Sequence, residues 1–208
     1  MSAASFSAVT AGVLSLRQFV LHTFLWLPPC SAVWYGSAQY YTIVVGWLAR
    51  QLAGVLTSDV VSALERSGQD LVFITVIKVQ PEPGQTALLT PEVNPLFYTY
   101  GLVLFVALML AERARWWKIP VGAVILLPFQ SWGIAFDFLA QVGIQAGPDV
   151  SAQAGLFGWR LVAVAVGYQL GALIFPSLVP VILWAILGRL FIVTVRGARA
   201  ASGQFPPV

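Results

Sequence analysis

Charged side chains are scarce in this chain of 208 residues: they make up 9% of it, whereas hydrophobic side chains make up 59%. Soluble domains carry about a quarter charged residues, so this chain lacks the polar surface that a water-soluble protein needs. Its cations also lie mostly beside apolar segments and form no broad basic patch, which argues against nucleic-acid binding. The composition therefore predicts a membrane protein that has the lipid bilayer as its solvent.

Cysteine and histidine each occur once, as Cys30 and His22. A single cysteine excludes an internal disulfide and a thiolate metal cluster, and a single histidine leaves no His and Cys ligand set. The nucleotide, zinc-protease and serine-hydrolase motifs G-x-G-x-x-G, P-loop, H-E-x-x-H and G-x-S-x-G are missing. We therefore predict a non-catalytic protein without a cofactor or metal. An intramembrane enzyme would need Cys30 or His22 beside a second reactive group, and about 12 Å of helix separates the two.

Four apolar segments predict membrane-spanning helices, since about 20 helical residues cross a bilayer. The predicted spans are residues 18–47, 96–111, 119–142 and 159–188. Two prolines within the first segment predict a bent or tilted helix, and the third and fourth segments also contain prolines. The predicted fold class is an all-α polytopic membrane protein with four transmembrane helices, accompanied by an external amphipathic helix and a β-hairpin.

The distribution of charge predicts the orientation of these spans. Residues 1–17, 112–118 and 189–208 together carry seven cations and one anion, whereas the stretch from Arg50 to Glu92 carries three cations and five anions. Because cytoplasmic loops are enriched in Lys and Arg, we expect both terminal tails and the loop 112–118 to lie in the cytoplasm. The segments 48–95 and 143–158 then lie outside.

The external segment 48–95 contains two predicted elements. Apolar residues recur at helical spacing in WLARQLAGVLTSDVVSALER, which predicts an amphipathic helix on the outer face. The β-branched run Asp70–Val79 and the turn signal PEPG at Pro81–Gly84 predict a β-hairpin. Both faces of its first strand are apolar, so we expect it to bury them against the helix, the membrane or a partner. Phe73 and Ile77 are therefore candidate partner-binding residues.

The motif NPLFYTYG at Asn94–Gly101 joins the hairpin to the second span. Asn94 is placed to cap the helix, and Pro95 suits its first turn. Tyr98 is expected in an aromatic belt at the outer membrane interface. These roles are structural, but their position on the outer side also makes Asn94 and Tyr98 candidates for partner binding.

Polar residues within the spans are the remaining candidates, because such groups are costly in hydrocarbon. Gln130 and Gln169 both lie near mid-depth and predict interhelical hydrogen bonds. Asp137 and Arg160 lie toward the outer ends of the third and fourth spans, where they could form an ion pair or act as a docking point. The small residues of GYQLG, Gly167–Gly171, predict close helix packing.

Three segments resemble the exosortase H-associated membrane proteins of Gram-negative bacteria: LPPCSAVWY, EVNPLFYTYGLVLFVALMLA and VAVGYQLGALIFPSLVPVILW. The resemblance covers about Leu25 to Phe191. It implies an accessory protein of the bacterial inner membrane, with its external segments in the periplasm and with an exosortase or the substrate of that enzyme as partner. Exosortases are described by Cys, Arg and His in that order, whereas His22 precedes Cys30 here, so the resemblance does not imply the enzyme itself.

Three hypotheses follow from the sequence. The first is a non-catalytic accessory or assembly factor whose external hairpin presents an apolar surface to a membrane partner. The alternative is a small transporter or channel with a polar site at Gln130, Gln169 and Asp137, because proline-broken helices expose backbone for ligands. The third is the intramembrane enzyme, for which the sequence offers the least support.

Overall fold

The computed structural model describes residues 16–57, 60–80 and 85–188. Most of them are helical. The helices are α1 (Leu16–Leu56), α2 (Leu96–Thr99), α3 (Gly101–Ala111), α4 (Lys118–Ala140), α5 (Pro148–Gln153), α6 (Trp159–Gln169) and α7 (Phe175–Leu187). Two π-helical turns, Gln141–Gln145 and Leu170–Ile174, extend α4 and join α6 to α7. The predicted tails, apart from Leu16 and Arg17, and the PEPG turn lie outside the described residues.

Among the residues that the structure describes, two continuous helical stretches are long and apolar enough to cross a membrane: Lys118–Gln145 and Trp159–Leu187. They correspond to the predicted third and fourth spans. The apolar helix Leu96–Ala111 is shorter, and its first turn, α2, is separated from α3 at Tyr100. The predicted first span is part of a longer helix, because α1 continues through Pro28 and Pro29 for 41 residues. The described part of the chain is therefore mostly helical, with two candidate membrane spans.

A small antiparallel sheet lies between α1 and α2 in the chain. Its strands are β1 (Val61–Ser67), β2 (Asp70–Thr75), β3 (Lys78–Val79), β4 (Ala87–Leu88) and β5 (Glu92–Val93). Strand β2 is central between β1 and β5, while β3 pairs with β4. The predicted hairpin is present as the β2–β5 and β3–β4 pairs. It gains a third strand, β1, whose Leu64 lies opposite Phe73.

The predicted amphipathic helix is wrong in its second half. The residues up to Leu56 are the last turns of α1, but Val61–Ser67 forms strand β1. The apolar spacing that continues past Leu56 is coincidental there, because pairing with β2 satisfies the backbone groups of β1 and suits its β-branched start. Arg50 in α1 donates hydrogen bonds to the Val61 and Ser62 carbonyls, at 3.2 and 3.1 Å. That contact ties the edge strand to the helix.

Helix α4 is the centre of the bundle and packs against α1, α6 and α7. The start of α1, the loop between α3 and α4, and the end of α7 lie together at one end of the molecule. There Phe19 stacks on Trp184, with ring centroids 5.2 Å apart, and Lys118 Nζ donates to the Leu187 carbonyl at 2.6 Å. The sheet occupies the opposite end.

Candidate functional site

The predicted partner-binding residues of the hairpin face the interior. Phe73 has no exposed surface and stacks on Phe138 of α4, with ring centroids 4.6 Å apart, and Ile77 is only 2% exposed. Neither side chain can be reached by a partner in this fold, so the prediction is wrong for both. The apolar face of the strand, which we predicted to bind a partner, packs against the end of the bundle instead. Val76, 57% exposed, lies on its outer side.

Asn94 acts as a local cap, and Tyr98 is a core residue. Asn94 Oδ1 accepts a hydrogen bond from the Leu96 backbone N–H at 3.0 Å, where α2 begins. Tyr98 is only 5% exposed, and its hydroxyl donates to the Asp137 carboxylate. Its predicted place in an exposed belt at the membrane interface, and in a partner-binding surface, is therefore wrong. Tyr100, two residues later, is exposed.

Asp137 and Arg160 have separate partners instead of the predicted ion pair. Besides Tyr98, the Asp137 carboxylate accepts a hydrogen bond from Gln141 Nε2 at 3.4 Å. Arg160 Nη1 donates to the carbonyls of Leu56 and Gly155, each at 3.3 Å. Because those carbonyls lie at the end of α1 and in the loop before α6, the guanidinium ties these two segments together. The predicted ion pair is therefore wrong, and a docking role for either residue stays a prediction.

Gln130 joins two helices near the middle of α4. It is 4% exposed, and its Oε1 accepts a hydrogen bond from the hydroxyl of Tyr41 in α1. Among the described residues its Nε2 has no hydrogen-bond partner, nor does the hydroxyl of buried Ser131. The predicted interhelical role of Gln130 thus has a specific partner, Tyr41, that the spacing of the sequence did not identify.

Gln169 lies on the other side of the bundle, exposed on α6. Its neighbours Gly167 and Gly171 face α4: a Cβ on Gly167 would overlap the ring of Phe136, and one on Gly171 would approach Gly133 Cα to 2.8 Å. The predicted close packing of GYQLG is therefore present. Because its small residues face inward, Gln169 faces outward and does not contact Gln130. The polar site predicted for a transporter, with Gln130, Gln169 and Asp137 together, is not assembled.

An apolar cavity of about 310 Å³ lies between α1 and α3. Its lining includes Cys30, Trp34 and Tyr41 from α1, and Leu102 and Val106 from α3. The Trp34 indole N–H is buried without a hydrogen-bond partner among the described residues. This cavity is the environment of the single cysteine.

His22 lies outside that lining, and its ring Nδ1 is 2.7 Å from the Gln18 carbonyl oxygen in its own helix. Within residues 16–57, 60–80 and 85–188, no group of three or more His, Cys, Asp or Glu side chains is placed to hold a metal ion. His22 therefore makes a hydrogen bond within its own helix, and Cys30 lies in an apolar cavity. The two side chains are not placed together.

A family model described as exosortase H-associated membrane protein matches residues 14–191, which is most of the chain and all of the bundle and sheet. The chain belongs to the exosortase H-associated membrane protein family. No curated protein and no solved structure matches it. The resemblance carried by the three sequence segments is therefore confirmed.

Membership of this family makes the chain a membrane protein and links it to exosortase H. The two apolar helical stretches are consistent with that placement. Sequence reasoning did not identify the hydrogen-bond partners of the polar residues, because the Tyr41–Gln130 and Tyr98–Asp137 pairs join residues that are far apart in the chain. One signal was available, since glycines on both sides of Gln169 at helical spacing already imply that the glutamine faces away from the packed interface.

Proposed function

We propose that this member of the exosortase H-associated family is a non-catalytic accessory subunit that binds exosortase H within the bacterial inner membrane. Family membership is the observation that carries the proposal. The geometry agrees with it, since Gln130 and Asp137 of the bundle interior form hydrogen bonds with Tyr41 and Tyr98 of neighbouring helices. Such an arrangement suits a protein that acts by contact with a partner.

The proposed topology has four spans with both termini in the cytoplasm and the sheet in the periplasm. The loop between α3 and α4, with Arg113, Arg115 and Lys118, lies at one end of the bundle, and the sheet caps the other end. Cations are retained on the cytoplasmic side, which supports this orientation. Strand β1 also contacts α1, because Arg66 donates a hydrogen bond to the Gln39 carbonyl at 3.2 Å.

Cysteine labelling tests the topology, because replacing Cys30 by Ser gives a background without cysteine. In that background we place single cysteines at Ser67, exposed in β1, and at Arg115, exposed in the loop before α4. A membrane-impermeant thiol reagent is expected to label Ser67→Cys in intact spheroplasts and Arg115→Cys only after permeabilisation. The reverse result would overturn the orientation.

Co-purification tests the function. The tagged chain and exosortase H are co-expressed in one bacterial host, extracted in mild detergent and purified through the tag. We expect exosortase H to elute with the chain in a fixed ratio, whereas an unrelated multi-pass protein with the same tag recovers none. Absence of exosortase H from the eluate of correctly inserted, monodisperse chain would contradict the proposal.

A further inference from the structure

A continuous exposed row follows the helical stretch Trp159–Leu187 outside the glycine face that packs against α4. We call it the α6–α7 outer face and define it by five side chains: Val162, Val166, Gln169, Leu173 and Ser177. Val162, Val166 and Leu173 are 64%, 51% and 71% exposed. Their spacing of three and four residues is that of one helix face, and the row continues across the π-helical turn Leu170–Ile174.

Gln169 is the residue in this row whose polar side chain has no hydrogen-bond partner among the described residues. It follows Trp159 by ten residues, or about 15 Å of helix, and lies within a stretch that is apolar enough to cross a membrane. It makes no hydrogen bond with any residue that the structure describes. Ser177, also exposed, is different, because its hydroxyl donates to the Leu173 carbonyl at 2.9 Å within its own helix.

An amide in hydrocarbon is unfavourable until it finds a hydrogen-bonding partner. Rotation of the helix cannot supply one, because Gly167 and Gly171 fix its inner face against α4: a Cβ on Gly171 would approach Gly133 Cα to 2.8 Å. The amide therefore stays on the outer side, where lipid tails offer neither donor nor acceptor. A polar group on a second membrane helix at the same depth satisfies it.

We propose that the α6–α7 outer face is the surface on which a transmembrane helix of exosortase H packs. That helix bears a hydroxyl, amide or carboxyl side chain opposite Gln169. The inference rests on the proposed function, since it names the surface for that partner. The link of the family to exosortase H favours this occupant over a second copy of the chain, although two Gln169 side chains could also pair with each other.

Photo-crosslinking locates the contact while Gln169 stays in place. A photoreactive phenylalanine analogue is introduced at Val166 or Leu173, and as a control at Ile43, which is 62% exposed on α1. The full chain is co-expressed with exosortase H and irradiated in membranes. We expect an adduct with exosortase H from positions 166 and 173 and none from position 43. An adduct only with a second copy of the chain, or no protein adduct, would overturn the inference.

Substitution of the amide tests the hydrogen bond. Gln169→Leu is expected to weaken binding to exosortase H about three- to tenfold, the range for one interhelical hydrogen bond in a membrane. Gln169→Asn retains the amide and should recover part of the affinity. Gln39→Leu is the control, because it removes an exposed amide from α1 near the β1–β2 turn.

The two failures are distinguishable. Unchanged affinity of Gln169→Leu, with exosortase H still co-purifying, would reject the α6–α7 outer face and leave the proposed function standing. Lack of co-purification by the unmodified chain would reject the proposed function itself. A thermal unfolding midpoint equal to that of the unmodified chain establishes that each variant is folded.

Discussion

The two helical stretches that are long and apolar enough to cross a membrane differ in what surrounds them. The apolar part of Lys118–Gln145 has a mean hydropathy of 1.6 and is 44% buried, whereas that of Trp159–Leu187 has a mean hydropathy of 2.3 and is 22% buried. The less apolar helix is therefore the central one. The more apolar stretch is the one that leaves more of its surface on the outside of the bundle.

A polar residue therefore has a different role in each of the two stretches. In the central stretch, Gln130 and Asp137 have protein partners, Tyr41 and Tyr98, so both join helices of the bundle. In the peripheral stretch, Gln169 faces outward from the bundle. Substitutions that remove interior contacts should consequently change stability, and those on the outer face should change binding.

The largest expected effect is that of replacing Phe73 in β2 by Ala, which tests whether the sheet caps the bundle at α4. The side chain is fully buried and stacks on Phe138 of α4, so we expect a loss of about 3–5 kcal/mol in the free energy of unfolding. The measurement is unfolding in mixed detergent micelles with increasing SDS. Val76→Ala, at a 57% exposed site in the same sheet segment, should change it little. Equal effects would show that the sheet does not cap the bundle.

Glycine replacement tests how closely the two stretches pack. Gly171→Ala places a methyl group 2.8 Å from Gly133 Cα, so the helices must separate, at a cost of about 1–3 kcal/mol. Gly36→Ala is the matched control, because a Cβ at Gly36 of α1 has no atom within 4 Å. It should be neutral or stabilising, since alanine favours helix. Thermal unfolding in detergent compares the two, and equal midpoints would contradict close packing of α4 with the peripheral stretch.

Part of the fold was predictable from local sequence. Apolar runs located the two membrane-length stretches, and β-branched residues with a turn signal located the hairpin. Strand β1 was missed because Val60 and Leu64 fit a helical repeat as well as a strand. Only pairing with β2, a contact between segments, decides between the two. The length of α1 was also missed, because a proline lowers helix propensity whereas the packing of neighbouring helices restores it.

The candidate site was predictable only as a set of polar residues. Composition identified Gln130, Asp137, Arg160 and Gln169 as unusual, but partners depend on which face of each helix is inside. Apolar patterning cannot reveal that face when lipid and core are equally apolar. Phe73 was misread for the same reason, since an apolar strand face is equally suited to a partner and to its own bundle.

Removal of the Tyr98 hydroxyl tests a polar contact of the central stretch. Tyr98→Phe is expected to lower the free energy of unfolding by about 1–2 kcal/mol, because the Asp137 carboxylate loses a donor in a partly buried site. Tyr100→Phe, at an exposed neighbouring position, should have no effect. In a double-mutant cycle, Tyr98→Phe should cost less once Asp137→Asn is present. Strict additivity would mean that the two side chains do not interact.

The smallest expected effect concerns the Tyr41–Gln130 pair. Tyr41→Phe removes the donor to the Gln130 carbonyl oxygen, whose Nε2 is already unpartnered. We expect a loss of about 0.5–1 kcal/mol in the free energy of unfolding, the usual size for one interhelical hydrogen bond in a membrane. Adding Gln130→Leu removes both buried polar groups, and the double variant should recover most of that loss, because paired removal is nearly neutral. Gln169→Leu should leave stability unchanged throughout. A double variant less stable than Tyr41→Phe would mean that the amide at position 130 has a further partner, and the contrast between interior and outer glutamines would then rest on burial alone.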